Sequence, residues 1–190
     1  IGQVCTIESE PHDEKIDAQV VGFRDNFVLL IALDSVHLIH PGCKVSSQRN
    51  NNFVPSGHAL LGRIIDGMGR PIDGKGPLLA PRRDGLYAEP PNPLSRTMIS
   101  EPFSTGIKAI DTFVPLGVGQ RVGIFSGSGV GKSILLGMIA RGSDSDINVI
   151  SLVGERGREL REFVEKDLGP EGMKKTVIIV STSDQPAPMR

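Results

Sequence analysis

The sequence predicts two kinds of fold in one chain, a small antiparallel β module followed by an α/β domain with a parallel sheet. Residues 1–52 alternate short β-rich runs with turn signals, which is the spacing of an antiparallel sheet or a small barrel. From residue 106 onward, strands of apolar residues alternate with helical segments. Buried parallel strands lose the polar alternation of half-exposed strands, so this second pattern indicates βαβ units.

The composition restricts the possible functions. The chain has 190 residues, of which 38% are hydrophobic, enough for one substantial core or two small ones. The formal net charge is -1, Trp is absent and Tyr occurs once, so a basic surface with interleaved aromatic rings for nucleic acid is disfavoured. No apolar run approaches the roughly 20 residues of a membrane span, and the first residues lack the charged region of a secretory signal. These features favour a cytosolic protein, and the missing initiator Met indicates a fragment.

Several residues that could bind a metal are interpreted as structural. Cys5 and Cys43 match no metal-ligand spacing, so they are expected to be buried thiols in a reducing compartment. The four histidines lie in loops or at strand edges and are interpreted as surface groups: His12, His37, His40 and His58. Three aspartates without His or Cys partners are interpreted as turn or helix-end residues: Asp66, Asp73 and Asp111.

In the first module, strands are predicted at IGQVCTI, DAQVVGF, FVLLIAL and GCKV. The acidic segment ESEPHDEK is expected to form a loop, and RDN a turn. Up to Asn52 the module holds four basic and seven acidic residues. A net negative module cannot provide an electrostatic platform for nucleic acid.

Residues 53–105 are rich in Gly and Pro, as in LLGRIIDGMGRPIDGKGP and AEPPNPLSR. This composition predicts tight turns and extended segments rather than regular helix. We interpret the stretch as a connecting segment packed on the core of a larger domain.

Residues 106–190 contain the α/β pattern, which the sequence leaves incomplete at its end. Helices are predicted from GIKAID onward and at ILLGMIAR, and strands at RVGIF (121–125), INVISLV (147–153) and TVIIVST (176–182). GRELREFVEKDLG predicts an amphipathic helix that ends at Gly169-Pro170. Its apolar residues recur at helical spacing: Leu160, Phe163, Val164 and Leu168.

A glycine-rich motif lies between the strand predicted at 121–125 and the following helix. Its residues are Ser126, Gly127, Ser128, Gly129, Val130, Gly131, Lys132 and Ser133. They match the P-loop pattern G-x-x-x-x-G-K-[ST] except at its first position, where Ser126 replaces Gly. The glycines let the backbone turn tightly and direct N–H groups, together with the helix N-terminus, at phosphate oxygens. Glycine-rich turns can also serve packing alone, but the flanking strand and helix favour phosphate binding.

The motif assigns roles to particular side chains. We expect Lys132 to contact the β- and γ-phosphates and the Ser133 hydroxyl to ligate Mg²⁺. Ile134, the next residue on the helix, completes the predicted nucleotide-binding set.

A second motif, Gly154-Glu155-Arg156-Gly157-Arg158-Glu159, follows the strand predicted at 147–153. Ligands of open α/β sheets bind beyond the carboxyl ends of the strands, so Glu155 is a candidate for orienting or deprotonating an attacking water. A helix N-terminal acid favoured by the macrodipole explains its spacing equally well. Arg156 could contact a phosphate or a neighbouring carboxylate.

Longer segments carry a resemblance to a known family. LLGRIIDGMGRPIDGKGP, NPLSR, STGIKAIDTFVPLGVGQRVGIFSGSGVGKSILLGMIAR and LVGERGRELREFVEKDLGPEG together resemble the rotary-type hexameric ATPases. GRELREFVEKDLGPEG and SGSGVGKSILLGMIAR are most similar to the flagellum-specific and type III secretion export ATPases, whereas catalytic subunits of F-type synthases typically carry GERTREGN. The resemblance covers nearly the whole chain. It implies a truncated RecA-like P-loop nucleotide-binding domain, preceded by a small all-β barrel domain that is incomplete at its start.

The resemblance also implies an activity: hydrolysis of ATP with Mg²⁺ in a homohexamer that powers protein export. The glutamate matching Glu155 activates water in that family, and the arginine matching Arg156 approaches the γ-phosphate, so with Lys132 they form the expected catalytic set. Family members accept a small residue at the position of Ser126. The implied partners are stator and stalk proteins, export substrates and chaperones, with no nucleic acid. The implied location is cytoplasmic, peripheral to the export gate of the inner membrane.

Other parts of the family are expected after Arg190, namely the Walker B aspartate, the arginine finger, the adenine contacts and a carboxyl-terminal helical domain. The fragment alone is therefore expected to be inactive. Three other functions remain as alternatives. They are the catalytic subunit of an F- or V-type synthase, disfavoured by GRELREF; a non-catalytic ring subunit, disfavoured by Glu155; and an RNA translocase of the Rho type, disfavoured by the acidic first module. Flagellar and injectisome export both fit the sequence.

Overall fold

A computed structural model describes residues 1–9, 14–34, 36–47, 53–79, 82–127 and 129–190. Its first unit is a four-stranded antiparallel sheet in the order β3-β2-β1-β4. The strands are β1 (Val4–Ser9), β2 (Glu14–Arg24), β3 (Phe27–Ala32) and β4 (Lys44–Ser47). All four coincide with strands predicted from the sequence, so the antiparallel module is confirmed. Most of the predicted acidic loop, residues 10–13, lies outside the described residues.

One face of this sheet holds a small core built from alternating residues of β1 and β2. Ile7, Ile16 and Ala18 are buried, and Cys43 packs against them from the loop before β4. Cys5 is buried and Cys43 is half-buried, and both are free thiols. The surface position predicted for three of the histidines is confirmed, since His37, His40 and His58 are exposed, while His12 lies outside the described residues.

The connecting segment contributes three strands. β5 (Phe53–Ser56) and β7 (Arg82–Gly85) pair with each other in antiparallel orientation. β6 (Ile64–Asp66), between them, instead pairs in parallel with a strand of the α/β unit. The segment therefore supplies one strand to the sheet of the α/β unit, which the Gly-rich sequence did not predict.

An ion pair holds the turn that follows β6. The Arg63 guanidinium donates to both carboxylate oxygens of Asp73, at 2.7 and 3.0 Å. Asp73 also accepts from the backbone N–H groups of Ile64 and Lys75. The two side chains are only 12% and 4% exposed. These contacts, led by the Arg63 hydrogen bond, hold the pKa of Asp73 well below its ordinary value.

The α/β unit is assembled around a parallel sheet in the order β10-β11-β6. Its first elements are β8 (Pro102–Phe103), α1 (Lys108–Phe113), β9 (Leu116–Gly117) and α2 (Lys132–Gly142). They are followed by β10 (Asn148–Val153), α3 (Gly157–Glu162), a π-helical segment (Phe163–Leu168), α4 (Gly169–Lys174) and β11 (Thr176–Ser181). The helices at GIKAID and ILLGMIAR, the strands at 147–153 and 176–182 and the parallel pairing are confirmed.

The main core lies between this sheet and the helices. Apolar side chains of α2, the helical run 157–174 and strands β10 and β11 form one buried cluster: Ala140, Ile150, Leu152, Phe163, Leu168, Ile178 and Val180. Leu160 and Val164 pack against this cluster, which confirms the predicted amphipathic helix. At Gly169 the backbone leaves helical geometry, with φ 66° and ψ 174°, so the helix ends there as predicted. Pro170 then stands in the first turn of α4.

The strand predicted at residues 121–125 is wrong. Residues 121–127 have no regular secondary structure, and Phe125 is 95% exposed. A strand needs neighbours that pair with its N–H and C=O groups. Among the described residues, the segment belongs to none of the four sheets. Apolar character without a pairing strand is therefore not enough to make it extended. Within the same described residues, no helix is long and apolar enough to cross a membrane.

Candidate active site

The phosphate loop, residues 126–133, turns into α2 through glycines in left-handed conformation. Gly129 has φ 77° and Gly131, the residue before the helix, has φ 94°. Residues with a Cβ reach this region only at a cost of about 1–2 kcal/mol. The turn directs the first N–H groups of α2, which have no partners within the helix, toward the loop. Ser128, which was predicted to bind nucleotide, lies outside the described residues.

The loop offers the chemistry that a phosphate group requires. A Cβ built on Gly127, Gly129 or Gly131 would have no neighbour within 4 Å, so the protein does not fill this side of the backbone. The Lys132 ammonium donates to the backbone oxygen of Ser126 at 3.3 Å, which holds its charge over the loop. Val130, Ser133 and Ile134 are exposed at the same turn. An anion would meet N–H donors, a helix N-terminus and one cation.

Close packing fixes the helix that carries Lys132. A Cβ on Gly137, in the middle of α2, would lie only 2.7 Å from the backbone oxygen of Asp167. Glycine at this position therefore allows α2 to lie directly against the π-helical segment. The Arg141 guanidinium also donates to the backbone oxygen of Lys166 at 3.3 Å. The phosphate loop is thus attached to a helix that the core holds in place.

The acid edge, residues 154–159, begins where β10 ends. The backbone N–H of Gly154 donates to Ser181 at 2.7 Å, which continues the pairing of β10 with β11. The N–H of Ser183 then donates to the backbone oxygen of Glu155 at 2.9 Å. Glu155 is consequently held at the carboxyl end of the parallel sheet, at the edge where ligands of such sheets bind.

The carboxyl of Glu155 is half-buried and influenced by three ionisable side chains. Burial raises its pKa, and a hydrogen bond with the Glu159 carboxyl and the negative charge of Glu159 raise it further. The positive charges of Lys132 and Arg156 act in the opposite direction. The structure therefore brings Glu155 close enough to the phosphate loop for Lys132 to affect its ionisation. A carboxyl with a raised pKa is suited to accept a proton near neutral pH.

Arg156, the third predicted catalytic residue, contacts a carboxylate of its own segment. Its side chain is 72% exposed and forms an ion pair with Glu159, with Nη1 and Oε1 3.4 Å apart. The carboxylate contact considered from the sequence is thus present, and the phosphate contact stays a prediction. The sequence gave no role to Glu159, which lies in the first turn of α3.

The three aspartates set aside from the sequence have structural contacts. Asp66 accepts from the backbone N–H groups of Met68 and Arg70 at 2.9 and 2.8 Å, so its predicted turn role is confirmed. Asp111 accepts from the backbone N–H and hydroxyl of Thr105, which keep its pKa below the ordinary value. Asp73 belongs to the ion pair described above.

A magnesium ion bound with a nucleotide needs few protein ligands, because phosphate oxygens and water complete its coordination. In the part of the chain that the structure describes, no group of three or more His, Cys, Asp or Glu side chains could hold a metal ion. Ser133, next to Lys132, is exposed, and its hydroxyl oxygen is suited to be the ligand that such a loop gives to nucleotide-bound Mg²⁺.

The fold and this loop define a nucleotide-binding domain. Residues 106–190 match the family model described as the nucleotide-binding domain of the ATP synthase alpha/beta family. Over its whole length, moreover, the chain is a homologue of flagellum-specific ATP synthases and type III secretion ATPases. It is 48% identical to the flagellum-specific ATP synthase of Bacillus subtilis, over 100% of this chain and 44% of the relative. The resemblance stated from the sequence is confirmed.

Solved structures give the same result. The assembled ATPase EscN of the enteropathogenic E. coli type III secretion system is 43% identical, with a TM-score of 0.87, over 100% of this chain and 45% of that one. EscN in complex with its central stalk EscO is 44% identical, with a TM-score of 0.86, over 100% of this chain and 46% of that one. The chain therefore spans less than half the length of these relatives.

Proposed function

We propose that the full-length protein hydrolyses Mg-ATP in a hexameric ring and thereby powers protein export through a flagellar or type III secretion apparatus. The observation that carries this proposal is the geometry of the phosphate loop, where left-handed Gly129 and Gly131 lead into α2 and Lys132 is held over the backbone oxygen of Ser126. Lys132 binds phosphate in such sites, and Glu155, whose ionisation Lys132 influences, can accept a proton.

The residues divide the work as follows. The backbone of the loop from Ser126 to Ser133, with Ile134 following, cradles the phosphates, and Lys132 neutralises the β- and γ-phosphate charge. Ser133 ligates Mg²⁺, which supplies charge neutralisation at the transferring phosphoryl group. Glu155 orients the attacking water and takes its proton, and Arg156 turns from Glu159 toward the γ-phosphate.

The proposed assembly is supported by the same relatives. The antiparallel unit of residues 1–52 closes into a barrel that joins neighbouring subunits of a homohexamer. A stalk protein binds the ring, in line with the solved complex of EscN with its central stalk EscO, and stator proteins, chaperones and export substrates bind the full-length protein. The ring works on the cytoplasmic side of the inner membrane, next to the export gate. The relatives named above, an ATP synthase of the flagellum and an ATPase of a secretion system, support this assignment.

The experiment replaces Lys132 with Ala in the full-length protein. Loss of the charge at the β- and γ-phosphates should weaken ATP binding and abolish turnover. Binding of a fluorescent ATP analogue and release of phosphate measure the two effects separately. Lys174→Ala is the matched control, because Lys174 forms an exposed pair with Glu171 and should leave both quantities unchanged. Near-normal hydrolysis by the Lys132 variant contradicts the proposed function.

A further inference from the structure

Gly137, in the middle of α2, lies directly against the helical run of residues 157–174. A Cβ built on it would be 2.7 Å from the backbone oxygen of Asp167 and 2.8 Å from the Cβ of Asp167. Alanine favours a helix more than glycine does, so glycine at this position weakens α2 by itself. What glycine permits is the contact. A backbone oxygen cannot swing aside as the end of a long side chain can, so a methyl group here would push the two elements apart.

The partner of Gly137 is the π-helical segment, Phe163–Leu168. A π-turn is wider than an α-turn and occurs frequently at functional sites. Two consecutive residues of this segment contact α2 through backbone atoms, since Lys166, next to Asp167, accepts a hydrogen bond from the Arg141 guanidinium at 3.3 Å. The backbone of the π-helical segment therefore sets the position of α2.

The two elements that meet at this contact lead to the two central residues of the proposed site. Lys132 is the first residue of α2, about 7.5 Å along the helix axis from Gly137 at 1.5 Å per residue. The helical run begins at Gly157, two residues after Glu155, whose backbone oxygen accepts from the N–H of Ser183 at 2.9 Å. Strand pairing thus fixes Glu155, and the run that follows it meets α2 at Gly137. Burial raises the pKa of Glu155 and the charge of Lys132 opposes that rise, which agrees with a shared site.

We propose that Gly137 is a positioning residue for ATP hydrolysis, a role that rests on the function proposed above. Its contact with the backbone of Asp167 sets where α2 holds the γ-phosphate relative to Glu155. The phosphate loop is continuous with α2, so a displaced α2 carries the bound phosphates along and leaves Glu155 behind. Nucleotide binding then survives, whereas the water between Glu155 and the γ-phosphorus is no longer aligned.

The test is Gly137→Ala in the full-length protein. The added Cβ and the Asp167 oxygen must separate by roughly 1 Å, from 2.7 Å to the ~3.5 Å of a favourable contact. A misplacement of about 1 Å, caused by a substitution remote from the chemistry, can lower the rate by about 10²-fold. ATP affinity, measured with a fluorescent ATP analogue, should therefore stay within a few-fold of the wild type, while kcat, measured by phosphate release, falls by ~10²-fold. ADP with aluminium fluoride, which mimics the transferring phosphoryl group, should bind the variant more weakly, although ADP alone does not.

Two further variants of α2 complete the experiment. Gly142→Ala is the matched control, because it adds the same methyl group to the same helix at an ordinary 3.6 Å from its nearest neighbours. It should leave ATP affinity and kcat unchanged. Arg141→Met keeps the stem of the side chain and removes the hydrogen bond to Lys166, so it loosens the contact without inserting an atom. It should lower kcat by a smaller factor at unchanged ATP affinity, and it decides the question if Gly137→Ala does not fold.

The outcomes separate this role from the proposed function. A merely structural role of Gly137 would lower the melting temperature and leave kcat at the wild-type value below it, which overturns the inference. A parallel loss of ATP affinity and kcat overturns it as well, because the loop itself is then distorted. The proposed function fails separately if Lys132→Ala hydrolyses ATP normally. Loss of turnover in Lys132→Ala with wild-type kcat in a folded Gly137→Ala, or in Arg141→Met where that variant does not fold, rejects the positioning role alone.

Discussion

The acid edge and the phosphate loop belong to the same α/β unit, but they are held by different means. The acid edge continues the pairing of β10 with β11, through Gly154 and the Ser183 contact with Glu155. The segment leading into the phosphate loop, residues 121–127, lies outside every sheet of the described residues and is exposed. Its fixed point is α2, where Gly137 packs against the π-helical segment. Glu155 is thus held by strand pairing, whereas Lys132 is held by the packing of its helix.

The largest expected effect is on the sheet that supports the acid edge. Asp73→Ala leaves the Arg63 guanidinium buried without its partner and should lower the free energy of unfolding by about 3–5 kcal/mol. Urea unfolding measures this change. Asp84→Ala is the matched control, because Asp84 pairs with Arg82 on the surface, where the expected cost is about 1 kcal/mol or less. Equal costs for the two variants would mean that the Arg63–Asp73 pair does not anchor β6.

The same pair gives the sheet a pH dependence. The pKa of Asp73 is lower in the folded protein than in the unfolded chain, so the folded state gains stability wherever Asp73 is ionised. That contribution is present above the unfolded pKa of about 4 and is lost as the pH falls below it. Between pH 7 and about pH 3, the free energy of unfolding should therefore decrease more for the wild type than for Asp73→Asn.

The second effect is on chemistry and not on stability. Glu155→Gln keeps the size of the side chain and its hydrogen bonding but cannot take a proton. ATP affinity should persist while turnover falls by ~10²-fold or more, the scale of a lost general base. Glu171→Gln, on an exposed pair of α4, provides the control. Activity within a few-fold of the wild type would make Glu155 a helix-end acid only.

The smallest effect concerns the phosphate loop. Gly131→Ala forces a Cβ into the left-handed region at φ 94° and should cost about 1–2 kcal/mol in urea unfolding without nucleotide. Gly127→Ala is the control, because Gly127 has no positive φ and a Cβ there would meet no atom within 4 Å. If both variants unfold alike, the loop does not hold the left-handed turn in solution. The phosphate loop would then be less fixed than the acid edge, which strand pairing holds in place.

The sequence predicted elements whose partners are close in the chain or whose periodicity is strong. The helix with Leu160, Phe163, Val164 and Leu168 and the strands β10 and β11 were predicted from apolar pattern, and the core confirms them. Residues 121–125 have the same apolar character, but pattern alone contains no information on whether a neighbouring strand is available. β6 was missed for the opposite reason. Its Gly-rich surroundings predict turns, but a neighbouring strand, β11, is available and pairs with it.

The candidate site was predicted in outline. Lys132 and Glu155 were selected from two motifs, and the structure brings them within electrostatic reach of each other. Glu159 was overlooked because a carboxylate on an exposed helix face is ordinary in sequence. Its ion pair with Arg156 and its effect on the pKa of Glu155 distinguish it from Glu162 and Glu165, which pair with Lys166 and Arg161. The roles of all these residues stay predictions until the variants are measured.

The parallel pairing of β6 with β11 has a consequence for how the protein forms during synthesis. The hairpin contacts of β1, β2 and β3 join neighbours in sequence and can form as soon as these strands leave the ribosome. β6 cannot pair with β11 until residues 67–175 have been synthesised, because Ile64 pairs with Ile178. Closure of so long a loop slows folding and leaves Ile64 and Ile65 exposed meanwhile. The antiparallel module should therefore fold first, and the site should assemble last.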